Sequence, residues 1–276
     1  MFEERAAPSG LEAAISRIWF LEMAPLRPFE KILPMPFAHL IVNLSDPYRV
    51  YDRAGEASIV PDSFVSGLQW GYLVIESPAR IRHIGVEFSP TGLGTFAPDL
   101  AGGSSDRVQG AGGLLPGVES FAADARDIDD GNEALVALDS YLRGLSRHPL
   151  DSVAAAAVAL IHSDTERPIS VVAEQLSISQ DELVERFRRA TGSTPKRHAR
   201  IVRFHRFIDA VHAGAGPPDW AQLAVAAGYY DQPHVIREFR AFSGWTPAQY
   251  YRLVAKHGAD AAHFVPLDQA PTQASP

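Results

Sequence analysis

The sequence predicts an α+β chain: a β-rich N-terminal barrel, a helical middle region, and an all-α C-terminal domain of two similar halves. Three observations predict it. Short runs rich in branched and aromatic residues, punctuated by Pro, Gly, Asp and Ser, fill the first 112 residues. Closely spaced short strands of that kind close into barrels or jelly rolls. After Gly113 the apolar residues fall at helical spacing. In the last third, a pattern of Phe, Gly and Thr-Pro recurs 52 residues on: Phe187 with Phe239, Gly192 with Gly244, Thr194-Pro195 with Thr246-Pro247. That is an internal repeat.

Each element follows in order. Ala13 to Leu21 fits strand or helix by pattern alone. His39–Leu44, Tyr48–Tyr51, Ser63–Val65, Tyr72–Glu76 and Ile81–Phe88 read as strands. Glycines from Gly102 to Gly113 separate them from helices expected over Glu119–Ala125, Asn132–Arg143 and Leu150–His162. The first half of the repeat opens with a helix over Ile169–Leu176, a turn Ser177-Ile178-Ser179, and a second helix that Ser179 can cap. Leu183 and Phe187 lie on one face of that helix, and Gly192 closes it. From Lys196 to Val211, Ile201, Phe204, Ile208 and Val211 recur at helical spacing. Lys196, Arg197, Arg200, Arg203 and Arg206 cover much of the rest. The second half runs from Asp219 through Gly228 to a helix carrying Val235 and Phe239. The final segment, 258–276, is rich in Ala, Pro and Gln and reads as disordered.

Each half of the repeat is laid out as a helix-turn-helix, whose second helix fits a DNA major groove. The joining helix is long enough to hold two such helices in successive grooves, roughly 34 Å apart. The downstream signature comprises Leu223-Ala224, Gly228-Tyr229, Asp231-Gln232, Arg237-x-Phe239 and Gly244-x-Thr246-Pro247-x-x-Tyr250. With it, the segment from Thr165 to Leu253 resembles the DNA-binding domain of the AraC/XylS family of bacterial transcriptional regulators. The fragments Leu40–Tyr48 and Gly85–Gly92 more weakly resemble the cupin-like sensor domains of some members. The resemblance implies four domains or regions. These are a cupin-like sensor domain over 1–112, a helical dimerisation and linker region over 113–163, a double helix-turn-helix over 164–257, and the tail. It also implies double-stranded DNA as partner, a small-molecule effector, a homodimer, and activation through RNA polymerase.

Composition is consistent with this. There is no cysteine, so there is no disulfide, thiolate metal site or thiol nucleophile. Met1-Phe2-Glu3-Glu4-Arg5 has no apolar core, so no signal peptide is expected, and the longest apolar run, Val153–Ile161, is too short to span a bilayer. The expectation is a cytoplasmic chain with no membrane partner. Net charge is −8, but it is unevenly spread. Residues 164–257 carry 13 Lys/Arg against 10 Asp/Glu, and residues 1–163 carry 12 against 21. A weakly basic domain predicts weak non-specific affinity for DNA.

Candidate site residues follow from the helix faces. Downstream, the resemblance implies that Gln232, Pro233, Ile236 and Arg237 occupy the groove-facing positions of the family pattern, with Arg240 a further DNA-contact candidate. Gln232 can pair with adenine N6/N7 and Arg237 with guanine O6/N7. Upstream, Ser179, Gln180, Asp181, Val184 and Glu185 face outward, and Arg186, Arg188 and Arg189 are expected on phosphate. Asp181 and Glu185 depart from the basic or aromatic residues usual in the family, which puts upstream base readout in doubt. In the barrel, Trp19, His39, Phe64, Trp70, Tyr72, His83 and Glu87 are the candidate ligand residues, and Trp70 stands out for its polar neighbours. His39, His83 and Glu87 suggest a cupin metal site. Such a site needs two closely spaced histidines before the carboxylate, and the residue two after His83 is Gly85. No metal and no cofactor is assigned. No phosphate-loop spacing and no nucleophile elbow occur, so no enzyme is expected. Two alternatives stay open: an N-terminal domain that binds a protein partner, and a cupin enzyme fused to a DNA-binding domain.

Overall fold

The computed structural model describes residues 1–97, 108–214, 218–258 and 264–269. Eleven strands and ten helices lie in that range. Strands β1 (Phe2–Ala6), β2 (Ile15–Met23), β9 (Ile81–Phe88), β4 (His39–Asn43), β7 (Ser63–Ser66) and β10 (Val108–Gly110) form one antiparallel sheet in that order. Strands β11 (Phe264–Leu267), β3 (Phe29–Ile32), β8 (Leu73–Glu76), β5 (Arg49–Tyr51) and β6 (Ala57–Ile59) form the second.

Strand alternation decides what each face meets. On the first sheet Ile18, Phe20, Leu40, Val42, Val65, Ile84, Val86 and Phe88 share one face. They pack under α2 (Val118–Arg126) and α3 (Gly131–Gly144), through Phe121, Leu135, Leu138 and Leu142. The other face meets the second sheet, where Tyr48, Val50, Val60, Phe64 and Ile75 form a smaller core against Ile41 and Leu73. Strand β9 is covered on both faces, so all eight of its residues are buried. A short helix α1 (Leu93–Phe96) follows β9.

The remaining helices are α4 (Ser152–Ser163), α5 (Ile169–Gln175), α6 (Gln180–Thr191), α7 (Pro195–Ala213), α8 (Trp220–Ala226), α9 (Gln232–Ser243) and α10 (Pro247–His257). Here the structure revises the expected middle region. Helices α2 and α3 belong to the N-terminal domain. Val158 and Ile161 of α4 instead pack with Val172, Leu183 and Phe187, inside the first helix-turn-helix. The C-terminal domain therefore begins near Asp151, which caps α4. An apolar stripe shows that a face is buried, not what buries it.

The tail is also revised. Residues 264–267 are strand β11, paired antiparallel with β3 from Phe264↔Ile32 to Leu267↔Phe29. Val265 is fully buried with Leu33 of the N-terminal domain and Val254 of α10. Asp268 bridges Arg27 at 3.0 Å and Lys256 at 3.7 Å. Residues 259–263 and 270–276 of the tail, and Gly102-Gly103, lie outside the described residues.

Candidate nucleic-acid interface

The two halves repeat in hydrogen-bond detail. Ser179 accepts from the Glu182 amide and Asp231 from the His234 amide, so each second helix is capped at its start. Gly192 and Gly244 close them in the left-handed region, at φ 73° and 75°. The Thr191 hydroxyl donates to Phe187 O at 2.8 Å, and the Ser243 hydroxyl to Phe239 O at 2.7 Å. Thr194 and Thr246 then cap α7 and α10, with proline in the first turn of each.

The spacing of 52 holds at every position that marks the repeat in the sequence, and it changes before the caps Ser179 and Asp231. The Ile178 amide donates to Ala173 O at 3.1 Å and the Tyr229 amide to Ala224 O at 2.9 Å, and these pairs are 51 apart. The downstream turn is therefore one residue longer, and Tyr230 is the extra residue.

The outer faces of both second helices are open. Ser179, Gln180, Asp181, Glu185 and Arg189 are exposed, and Val184 is half-buried. Gln232, Pro233, Arg237 and Arg240 are exposed, and Ile236 is half-buried. Val235, Glu238, Phe239 and Phe242 form the inner face of α9. The predicted downstream set thus shares one solvent-facing side.

Arg186 does not belong with it. Its guanidinium donates through Nε and Nη2 to both carboxylate oxygens of Asp151, at 3.0 and 2.9 Å. Side-chain hydrogen bonding to Asp151 raises the guanidinium pKa further. The residue expected on phosphate ties α6 to the start of α4. Its repeat equivalent, Glu238, does the same job with the charge reversed. The Glu238 carboxylate accepts from Arg200 Nε at 2.7 Å and Arg203 Nη2 at 3.2 Å. Exposed Arg188 is the repeat equivalent of Arg240 on the outer face.

The joining helix spends its charge internally. At 19 residues, α7 is about 28 Å long. Arg200 and Arg203 bind Glu238, Arg206 donates to His162 O, and Arg197 stacks on Trp70 at 4.4 Å. Of the basic residues expected along this helix, Lys196 alone has none of these contacts. The pattern supports low non-specific affinity, because few cations remain to displace counterions.

The candidate ligand residues separate into two places. Trp19, His39, Phe64, His83 and Glu87 line the inter-sheet face of the first sheet. The Trp19 ring lies over Gly85, where a Cβ would sit 2.3 Å from it. Arg17 Nε donates to Glu87 at 2.8 Å, and His39 Nε2 lies 4.0 Å from the same carboxylate. The His83 ring lies 5.5 Å from that of Tyr48, tilted by 34°, and burial pushes its imidazole down to about 4. Among the described residues no group of three His, Cys, Asp or Glu converges as metal ligands would. Trp70 and Tyr72 lie instead at the boundary with the C-terminal domain. There Lys31 Nζ sits between the Tyr72 and Trp245 rings, 3.8 and 3.7 Å from their centroids, and donates to Ser243 O. Burial lowers the Lys31 ammonium to about 8. Sequence reading missed Lys31 and Trp245, because only the fold brings them together. A cavity of about 340 Å³ opens among Gly10, Leu11, Ala14, Thr95, Arg147 and Leu150. None of the candidate ligand residues lines it.

Two helix-turn-helix units joined by one 19-residue helix, beside a β-domain, have the layout of a DNA-binding regulator. Residues 172–252 match a helix-turn-helix domain family, and residues 3–104 match a domain of unknown function, DUF6597. The C-terminal domain is an AraC-type helix-turn-helix domain, as the sequence resemblance implied. Among solved structures, ToxT from Vibrio cholerae O395 bound to (E)-4-(8-methylnaphthalen-1-yl)but-3-enoic acid shares the two-domain fold. It is 12% identical over 91% of this chain and 98% of that one, with a TM-score of 0.50. Unsaturated fatty acid bound ToxT from Vibrio cholerae strain SCE256 is 11% identical over 91% and 94%, with a TM-score of 0.49. A probable AraC family transcriptional regulator from Rhodopseudomonas palustris CGA009 is 22% identical over 37% of this chain and 96% of its own, with a TM-score of 0.34. No curated protein matches the chain by sequence.

Proposed function

We propose that this AraC-type DNA-binding regulator is controlled by a small apolar carboxylic acid held where the two domains meet, and that it has no catalytic role. One observation carries the effector class. Lys31 is a buried ammonium between two aromatic rings, with no carboxylate paired to it among the described residues. A cation in an apolar cleft suits a ligand with one anionic end and an apolar body. Lys31 also touches the end of recognition helix α9, since Ser243 closes that helix. A ligand drawing Lys31 away from Ser243 would move the DNA-reading helix against the β-domain. The aromatic acid bound by the ToxT structure is of the same chemical class.

The regulator would act in the cytoplasm as a homodimer and activate transcription through RNA polymerase, as the family resemblance implies. No helix among the described residues is long and apolar enough to cross a membrane. One observation favours the alternative of a protein partner: the space between the sheets is filled by Tyr48, Val50, Phe64 and Ile75. The test is a DNA mobility-shift titration of the full chain with and without medium-chain aliphatic and naphthyl carboxylic acids. The acids should change the DNA affinity of the native chain severalfold and leave Lys31→Ala unchanged. An equal response in both proteins would place the effector elsewhere. No response in either would remove this effector class.

A further inference from the structure

The extra residue of the downstream turn has a consequence for sequence reading. Upstream, Ile178 precedes the cap Ser179 and packs into the domain core beside Leu183. A hydrophobic residue before the cap commonly staples the turn in this way. Downstream, Tyr229 takes that place: it is buried beside Val235 and makes the equivalent amide hydrogen bond. The staple is complete without Tyr230. The insertion leaves a second tyrosine between the staple and the cap Asp231, 88% exposed, the most exposed large hydrophobic side chain described.

Tyr230 does not stand alone. Pro233 is exposed and Ile236 is half-buried, each three residues further on. The strip begins beside Gln232 and runs next to Arg237. Upstream, the positions equivalent to Pro233 and Arg237 are Asp181 and Glu185, both exposed carboxylates. The two helices thus offer opposite chemistry to a groove. One presents acceptors, and the other presents apolar surface flanked by an amide and a guanidinium. In the major groove the apolar feature that distinguishes one base pair from another is the 5-methyl group of thymine.

We propose that Tyr230, Pro233 and Ile236 are specificity-determining residues that read thymine methyl groups, so that the half-site under α9 is thymine-containing. This rests on the reading of α9 as a DNA-recognition helix. Gln232 and Arg237 supply the polar contacts, and the apolar strip selects thymine beside them.

The experiment uses the full chain. Bound sequences are first enriched from a pool of random duplexes. Thymines under the downstream half-site are then replaced one at a time by uracil, which removes only the methyl group. At least one such replacement should weaken binding of the native chain roughly fivefold. The same replacement should cost less than about twofold in Tyr230→Ser or Ile236→Ser, because the methyl has lost its partner. Tyr230 is too exposed for its replacement to unfold the domain, so that variant keeps the test decisive. Uracil tolerated everywhere by the native chain, or equally costly in native and variant chains, overturns the proposal and leaves DNA binding intact. No enriched sequence at all would overturn the underlying reading of α9.

Discussion

Glu238→Ala is expected to destabilise α9 against α7 by about 3–5 kcal/mol, the usual effect of removing one partner from a buried ion pair. The Glu238 carboxylate is only 4% exposed and holds Arg200 and Arg203. The Arg203 side chain is 12% exposed, so it would be left as an unpaired charge. Arg200, at 39% exposed, regains water and adds little. Arg203 also lies 4.8 Å over the Tyr229 ring, so its displacement would loosen the turn before α9. Hydrogen exchange at the amides of α7 and α9 measures the effect locally, without assuming that both domains unfold together. Adding Arg203→Met should recover much of the loss, because the orphaned charge is then gone. Slowed exchange unchanged in Glu238→Ala would mean that packing, not the ion pair, holds the two helices.

The second large effect is with pH. His198 and His162 face each other Nε2 to Nε2 at 2.9 Å, with stacked rings, in the core of the first helix-turn-helix. One nitrogen must donate and the other accept, so the pair holds together with both rings neutral. Burial, with the neighbouring His162 adding to it, pushes His198 down to about 3. Burial also pushes His205 and His83 down to about 4 each. These imidazoles take up a proton near pH 6.5 when unfolded and resist it when folded. Their contribution to stability is therefore complete above about pH 6.5 and is lost as pH falls towards 4. Each costs about 1.4 kcal/mol for every pH unit across that window. Thermal melts between pH 7 and pH 5, above the range where carboxylates dominate, should show a steep fall in midpoint. His198→Phe should fall less steeply. A flat midpoint over that range would show that these rings are not held neutral in the fold.

The helical half of the fold is legible in sequence because its signals are local. Ser179, Asp231, Thr194 and Thr246 are caps, Gly192 and Gly244 are closing residues, and all act within a turn of where they stand. Strands β4, β8 and β9 are legible as apolar runs. Strand β1 is not, because three consecutive charged residues, Glu3, Glu4 and Arg5, on an edge strand leave no apolar alternation to read. Strand β11 is not, because four residues including a proline have no strand signal of their own. They form a strand by pairing with β3 and burying Val265 against α10. The site divides in the same way. The outer face of α9 follows from helical periodicity. That Arg186 and Arg203 are engaged internally does not, since a basic residue on a helix looks the same whether it meets phosphate or Asp151. Nor could Trp70 and Tyr72 be assigned to a lumen or a domain boundary before α7 and α9 were placed beside them.

Specific DNA binding by this chain rests, on the proposed reading, on recognition of base identity by the exposed face of α9. That recognition is tested most directly by measuring Arg237→Ala against a panel of single-base variants of an enriched duplex. Arg237 is exposed on that face and forms no ion pair among the described residues. The variant should lose about 1–3 kcal/mol on the preferred duplex, and its discrimination should collapse at one base pair while persisting at the others. A uniform loss across the whole panel would mean that Arg237 touches phosphate only, and would contradict base reading by this residue.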